Sequence, residues 1–191
     1  MKTLFINACV REESRTRQLA YYYLEKNGMP FEELDLEKER AMPLDRAGLL
    51  KRGELLEQGK TDDPLFRNAN QFREAGEIVI AAPYWDLSIP AILKDYIETI
   101  DIVGLTFHYV ADDVPKTLSK VRKLVFLTTA GGTMINDDYG YGYLKAVFEN
   151  FFEVKDFAYF KAEKLDLYGA DPERILAETR AEIDRYFAEE S

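Results

Sequence analysis

Short runs of unbroken apolar residues alternate along this chain with longer stretches whose apolar positions recur every three or four residues. In the clearest run, Ile78-Val79-Ile80-Ala81-Ala82, no polar residue intervenes, as a strand covered on both faces requires. Runs of this kind predict strands at Thr3–Ala8, Phe31–Leu36, Glu77–Ala82, Arg122–Thr129 and Asp156–Ala162. Helical spacing fills the intervals, at Ser14–Asn27, within Asp45–Glu57, and at Pro64–Ala75, Ile89–Ile100, Tyr143–Phe152 and Asp171–Glu189. The alternation predicts an α/β fold in which a parallel sheet is wound by right-handed crossovers, with helices on both faces. Asp171 is placed to cap the last helix with Pro172 at its first position, and Gly28 and Gly104 are predicted helix stops. Between Glu37 and Pro64, Lys, Arg, Glu and Gly are frequent, which predicts a helical excursion or a flap.

Composition narrows the class. A length of 191 residues with 47% hydrophobic content suffices to bury one sizeable core, so a single domain over residues 1–191 is expected. One cysteine excludes an internal disulfide, and with His108 the only histidine a Cys/His metal cluster is not expected. The 35 acidic against 25 basic residues give a net charge of −10, which disfavours nucleic acid as a partner. The N-terminal apolar run is too short for a signal peptide and no stretch has the length to span a bilayer, so a cytoplasmic location is expected.

In an open parallel sheet the loops after the strands converge at one edge, where ligands bind. After the first strand, hydroxyls at Ser14 and Thr16 and guanidiniums at Arg11, Arg15 and Arg17 lead into a helix, and a helix N-terminus so equipped suits a phosphate. The same residues serve equally well as an N-cap beside a solvated basic face. No glycine pattern of dinucleotide or triphosphate type is present, which points to a monophosphate. Behind the third strand, Pro83 ends the ladder and Tyr84-Trp85-Asp86-Leu87 carries the only tryptophan, a flat side chain suited to a flat ligand. Behind the fourth, Thr128-Thr129-Ala130-Gly131-Gly132 offers a backbone that can approach a planar group closely. The rings of Tyr139, Tyr141 and Tyr143 follow on a glycine-rich segment and are candidates either to roof a pocket or to pack on the next helix.

These motifs carry a resemblance. The segment AAPYWDLSIPAILKDYIETIDIVGLTFHY, the TTAGG at Thr128–Gly132 and the pair Ser14-x-Thr16 resemble the FMN-dependent NAD(P)H:quinone oxidoreductase and azoreductase family of flavodoxin-like proteins. The resemblance implies a flavodoxin-like three-layer sandwich with a five-stranded parallel sheet in the order 2-1-3-4-5. It implies FMN as cofactor, its phosphate held by Ser14, Arg15 and Thr16, its isoalloxazine edge lined by Pro83, Tyr84, Trp85 and Asp86, and its pyrimidine end bonded by Thr129, Ala130, Gly131 and Gly132. Trp85, Tyr139 and Tyr141 are expected to shape the pocket of the electron acceptor. NADH or NADPH would be the donor, a quinone or similar flat electrophile (azo or nitro compounds) the acceptor, and kinetics ping-pong, with no catalytic side chain because flavin N5 carries the hydride.

Two departures from the family pattern are visible. The phosphate loop is one residue short and Ala8-Cys9 stands where a hydroxyl residue is usual, which predicts weaker or altered phosphate binding. Trp85-Asp86 replaces the more usual Tyr/Asn-Phe pair and sets an acid near the ring. A homodimer is expected through Ala91, Ile92, Tyr96, Ile97 and Ile100, which recur at helical spacing, although covering the sheet would explain the same face. The rival readings are an FMN-binding electron carrier without NAD(P)H oxidation and a flavin-free regulatory domain.

Overall fold

Five parallel strands form the centre of the molecule in the computed structural model, which describes residues 2–190. The elements are β1 (Thr3–Asn7), α1 (Arg15–Asn27), β2 (Phe31–Asp35), α2 (Arg46–Glu57), α3 (Arg67–Glu74), β3 (Glu77–Ala81), α4 (Ala91–Ile100), β4 (Phe107–Tyr109), β5 (Pro115–Thr117), β6 (Lys123–Thr129), α5 (Tyr143–Phe152), β7 (Asp156–Ala162) and α6 (Pro172–Glu190). The sheet order is β2-β1-β3-β6-β7, with Thr3 opposite both Phe31 and Glu77, Glu77 opposite Lys123, and Lys123 opposite Asp156. Setting aside the short pair β4 and β5, this is the expected order 2-1-3-4-5.

The unbroken apolar run of β3 is explained by its two faces. Ile78 and Ile80 join Leu4, Ile6 and Phe126 under α3, α4 and α5, whereas Val79 and Ala81 join Phe5, Val125 and Leu127 under α1 and α6. Gly28 ends α1 in the left-handed conformation (φ 65°), and the Asp171 carboxylate accepts from the Arg174 N–H at 3.1 Å, as the sequence predicted for both helix ends.

Four features differ from the sequence reading. Gly104 does not stop α4, which ends at Ile100; it sits further on in a turn (φ 85°) whose N–H donates to Phe107 O at 2.7 Å. The same helix starts at Ala91 rather than Ile89, because Pro90 holds an extended conformation and biases the residue before it the same way. The antiparallel pair β4 and β5 was not foreseen, since strands of three residues are too short to show alternation. The expected dimer face is split: Tyr96, Ile97 and Ile100 are buried against the sheet, and only Ala91 and Ile92 of the five remain partly accessible.

Turns and loop flank residues 46–57 of the uncertain segment, which form the helix α2. It buries no residue fully and leans Leu55 and Leu56 on a small cluster of Phe66, Ala69, Ile102 and Leu105.

Candidate functional site

Parallel strands send all their following loops to one edge, and the loops behind β1, β3, β6 and β7 meet there. The loop behind β1 is pinned by Asn7, whose Oδ1 accepts the Cys9 N–H at 3.1 Å. Cys9 itself is buried; its thiol donates to Ala81 O at 3.5 Å, and burial pushes its pKa up to about 11. The loop ends at Ser14, which caps α1 by accepting the Arg17 N–H at 3.2 Å. That leaves the N–H groups of Arg15 and Thr16 at a helix start, where the helix itself supplies no acceptor.

Thr16 is turned inward. Its hydroxyl lies 2.6 Å from that of Thr129 at the end of β6. The Thr129 carbonyl accepts the Tyr84 N–H at 3.0 Å, and the Tyr84 hydroxyl reaches Asn136 O at 2.9 Å. Three of the loops that the sequence singled out are thereby joined to one another by hydrogen bonds.

Beyond Tyr84 the chain makes a two-residue hairpin. Trp85 and Ser88 exchange N–H···O bonds of 3.0 and 2.8 Å, and both central residues, Asp86 (φ 51°) and Leu87 (φ 67°), are left-handed. This is the type I′ geometry that Asn-Gly normally supplies, and a left-handed non-glycine residue costs about 1–2 kcal/mol. The strain holds Trp85 at the rim of the site, partly exposed, while Ser88 Oγ ties the turn to Tyr139 O at 2.6 Å.

Two clefts flank that rim. The first, of about 540 Å³, is polar and is lined by Ser14, Arg15, Thr16, Pro83, Tyr84, Trp85, Thr129 and Gly131 among the residues expected from the sequence. Its charged lining is mixed: Arg11 and Arg15 face Glu13, Asp166 and Glu173. Asp166 and Leu165 come from the loop behind β7, which the sequence reading passed over although a parallel strand must deliver it to this edge. At Gly131 an added Cβ would fall on the Asp166 carboxylate, which would have to shift to admit it. Beside Gly132 the space is open.

The second cleft, of about 690 Å³, is mainly apolar and shares Val10 and Trp85 with the first. Ile89, Pro90, Ala91 and Ile92 form one wall, and Asp86 and Tyr139 stand at it. Lys94 and Tyr143 supply polar groups: the ammonium is 2.8 Å from Glu98 Oε1 and 5.7 Å from the centre of the Tyr143 ring. Burial lowers the Lys94 pKa, but Glu98 and Tyr143 outweigh it and the net shift is upward, whereas burial raises that of Tyr143. Tyr143 was among the tyrosines the sequence offered as a pocket roof, whereas Lys94 was not foreseen as a cleft residue, since a helix face is assigned only once the neighbouring loop is in place.

Tyr141 is in neither cleft. It stacks on Tyr159 with centres 4.2 Å apart and rings 9° from parallel, in line with Phe126, against the core beneath α5. Ala130 is buried rather than lining the cleft, and His108 lies on β4 opposite Lys116.

The first cleft has the donor set that a flavin monophosphate needs. Its lining combines a helix start, two hydroxyls and two guanidiniums with Pro83, Tyr84 and the Trp85 indole, a flat surface for a flat ring. A family profile described as flavodoxin-like fold matches residues 1–187. The chain is 38% identical over 186 residues to the FMN-dependent NADH:quinone oxidoreductase of Lachnoclostridium phytofermentans, covering 93% of each chain. It is 36% identical over 191 residues to the protein of that name in Clostridium beijerinckii, again covering 93% of each. Among solved structures, the FMN-dependent NADH-azoreductase of Bacillus anthracis in complex with FMN superposes with a TM-score of 0.80 at 26% identity, covering 98% of both chains. From its sheet order, the loops gathered at one edge and these likenesses, the chain belongs to the flavodoxin-like family of FMN-dependent NADH:quinone oxidoreductases and azoreductases.

Proposed function

We propose that this chain is an FMN-dependent NAD(P)H oxidoreductase that reduces quinones or related flat electrophiles. The observation that carries the reading is the pair of adjoining clefts, one polar and opening at a helix start, one apolar, with Trp85 on the ridge between them.

In this reading Ser14, Arg15 and Thr16 hold the FMN phosphate, the first through its position at the helix start, the others through N–H, guanidinium and hydroxyl donors. Pro83, Tyr84 and Trp85 run along the ring edge, with Asp86 turned to the second cleft, and Thr129 and Gly131 face its pyrimidine end with Gly132 next in the chain. Bound FMN supplies the two-electron hydride chemistry. The protein orients donor and acceptor, keeps water from the apolar cleft with Trp85, Ile89 and Ile92, and leaves Tyr139 at its edge to meet the acceptor. Donor and acceptor use the same face in turn, so kinetics are ping-pong. Tyr141 drops out of the acceptor pocket, because its ring is committed to Tyr159 and Phe126.

A homodimer and a cytoplasmic location complete the proposal. Ala91, exposed, and Ile92, partly exposed, line the apolar cleft, and a second copy seated on them would cover it. No helix among the described residues is long and apolar enough to cross a membrane.

The test is spectroscopic. After reconstitution with FMN and gel filtration, the protein is expected to carry flavin absorbance that NADH or NADPH bleaches without oxygen and a quinone restores. Absence of bound flavin would refute the reading, and bound flavin that no nicotinamide bleaches would make the chain an electron carrier. Sedimentation at micromolar concentration, with a monomer as the adverse result, tests the dimer separately.

A further inference from the structure

Arg15, the guanidinium assigned to the phosphate, is already engaged in the protein itself. Its Nη1 donates to Asp166 Oδ1 at 2.7 Å and joins the start of α1 to the loop behind β7 across 151 positions of sequence. Asp166 is held at that spot by the backbone. Its N–H donates to Gly131 O at 2.8 Å, the Lys164 N–H donates to Gly132 O at 2.8 Å, and its carboxylate fills the space that the missing Cβ of Gly131 leaves. Both side chains line the polar cleft. They are also substantially exposed, at 39% and 61%, so the pair is a weak tie for which another anion can compete.

We propose that Asp166 is a latch residue that competes with the phosphate of the flavin nucleotide for Arg15, and so sets how strongly the cleft prefers FMN over phosphate-free riboflavin. The proposal rests on reading the polar cleft as the flavin site. A carboxylate and a phosphate are alternative partners for the same planar guanidinium fork. A phosphate, which carries close to two negative charges at neutral pH, displaces Asp166 where it takes up the Arg15 Nη1 donor that the carboxylate now holds. Riboflavin makes no claim on Arg15 and leaves the pair closed. Asp166 thus lowers affinity for phosphate-bearing ligands alone, and Gly131 is the residue that makes room for it.

The experiment titrates flavin-free protein with FMN and, separately, with riboflavin, following flavin fluorescence. D166N is expected to tighten FMN about two- to fivefold and to leave riboflavin unchanged. D166E, which keeps the charge, is expected to bind both flavins as the natural protein does. Added to R15Q, D166N is expected to bring no further gain for FMN. Chemical denaturation of each variant confirms that the fold is intact. Weaker FMN binding by D166N would mean that the carboxylate orients Arg15 for phosphate and would overturn the latch, as would an equal change for both flavins or no change for either. If neither flavin bound to any variant, the flavin reading itself would fall, and the latch with it.

Discussion

The hydroxyl oxygens of Thr16 and Thr129 lie 2.6 Å apart, at the start of α1 and the end of β6, with both residues buried. Two hydroxyls hold two protons, and one is spent in their mutual bond. The other remains available, so the pair closes the joint between two loops and still offers one donor.

A double-mutant cycle measures that joint. Thr16→Val and Thr129→Val are each expected to lower unfolding free energy by about 1–2 kcal/mol, since each leaves a buried hydroxyl without its partner. The double variant should cost less than the sum, with a coupling of about 0.5–1.5 kcal/mol from denaturant titrations. Strict additivity would show that the two hydroxyls act separately.

Trp85 and Tyr141 are expected to part company. Trp85→Ala removes the ridge between the clefts and should lower kcat/KM for a quinone by roughly tenfold, about 1.4 kcal/mol of transition-state binding, with little change in Tm. Tyr141→Ala breaks the stack with Tyr159 and should cost about 2–4 kcal/mol of stability while leaving acceptor preference alone. Steady-state kinetics with several quinones, run beside thermal melts, checks both, and a reversed pattern would place Tyr141 at the acceptor.

Strain in the Trp85–Ser88 hairpin makes a stabilising substitution available. Changing Asp86-Leu87 to Asn-Gly supplies the residues that a type I′ turn favours, and Leu87 is 42% exposed, so little burial is lost. Net of glycine's larger unfolded-state entropy, a gain of about 0.5–1 kcal/mol is expected in urea denaturation. A loss of stability would show that Leu87 packs usefully where it stands.

Cys9 should be inert until the protein unfolds. With its pKa raised from 9.0 to about 11 by burial, its thiolate fraction at pH 8 falls roughly a hundredfold, and iodoacetamide should label it only in denaturant. The sign for stability follows from linkage. Above pH 9 the unfolded chain releases this proton and the folded chain keeps it, so the contribution is full below pH 9 and is lost as pH rises towards about 11. Substitution by Ser or Ala should flatten that part of the alkaline stability profile; an unchanged profile would assign the loss to other groups.

Most of the architecture was legible in the sequence because burial on both faces leaves a local mark. Ile78 to Ala82 is apolar throughout since alternate residues face different helices, and Asp171-Pro172 and Gly28 mark helix ends through their own backbone preferences. Parallel strands also oblige the loops behind β1, β3 and β6 to share an edge, so the sequence alone groups Ser14, Pro83 and Gly131. What only the tertiary structure decided is which side chain meets which. Asp166 opposite Arg15, Tyr141 turned onto Tyr159 while Tyr139 stays outside, and Tyr96, Ile97 and Ile100 under the sheet rather than at an interface all depend on partners far away in sequence. Periodicity records that a position is buried or exposed; the choice between two burying surfaces is made by packing, and leaves no local trace.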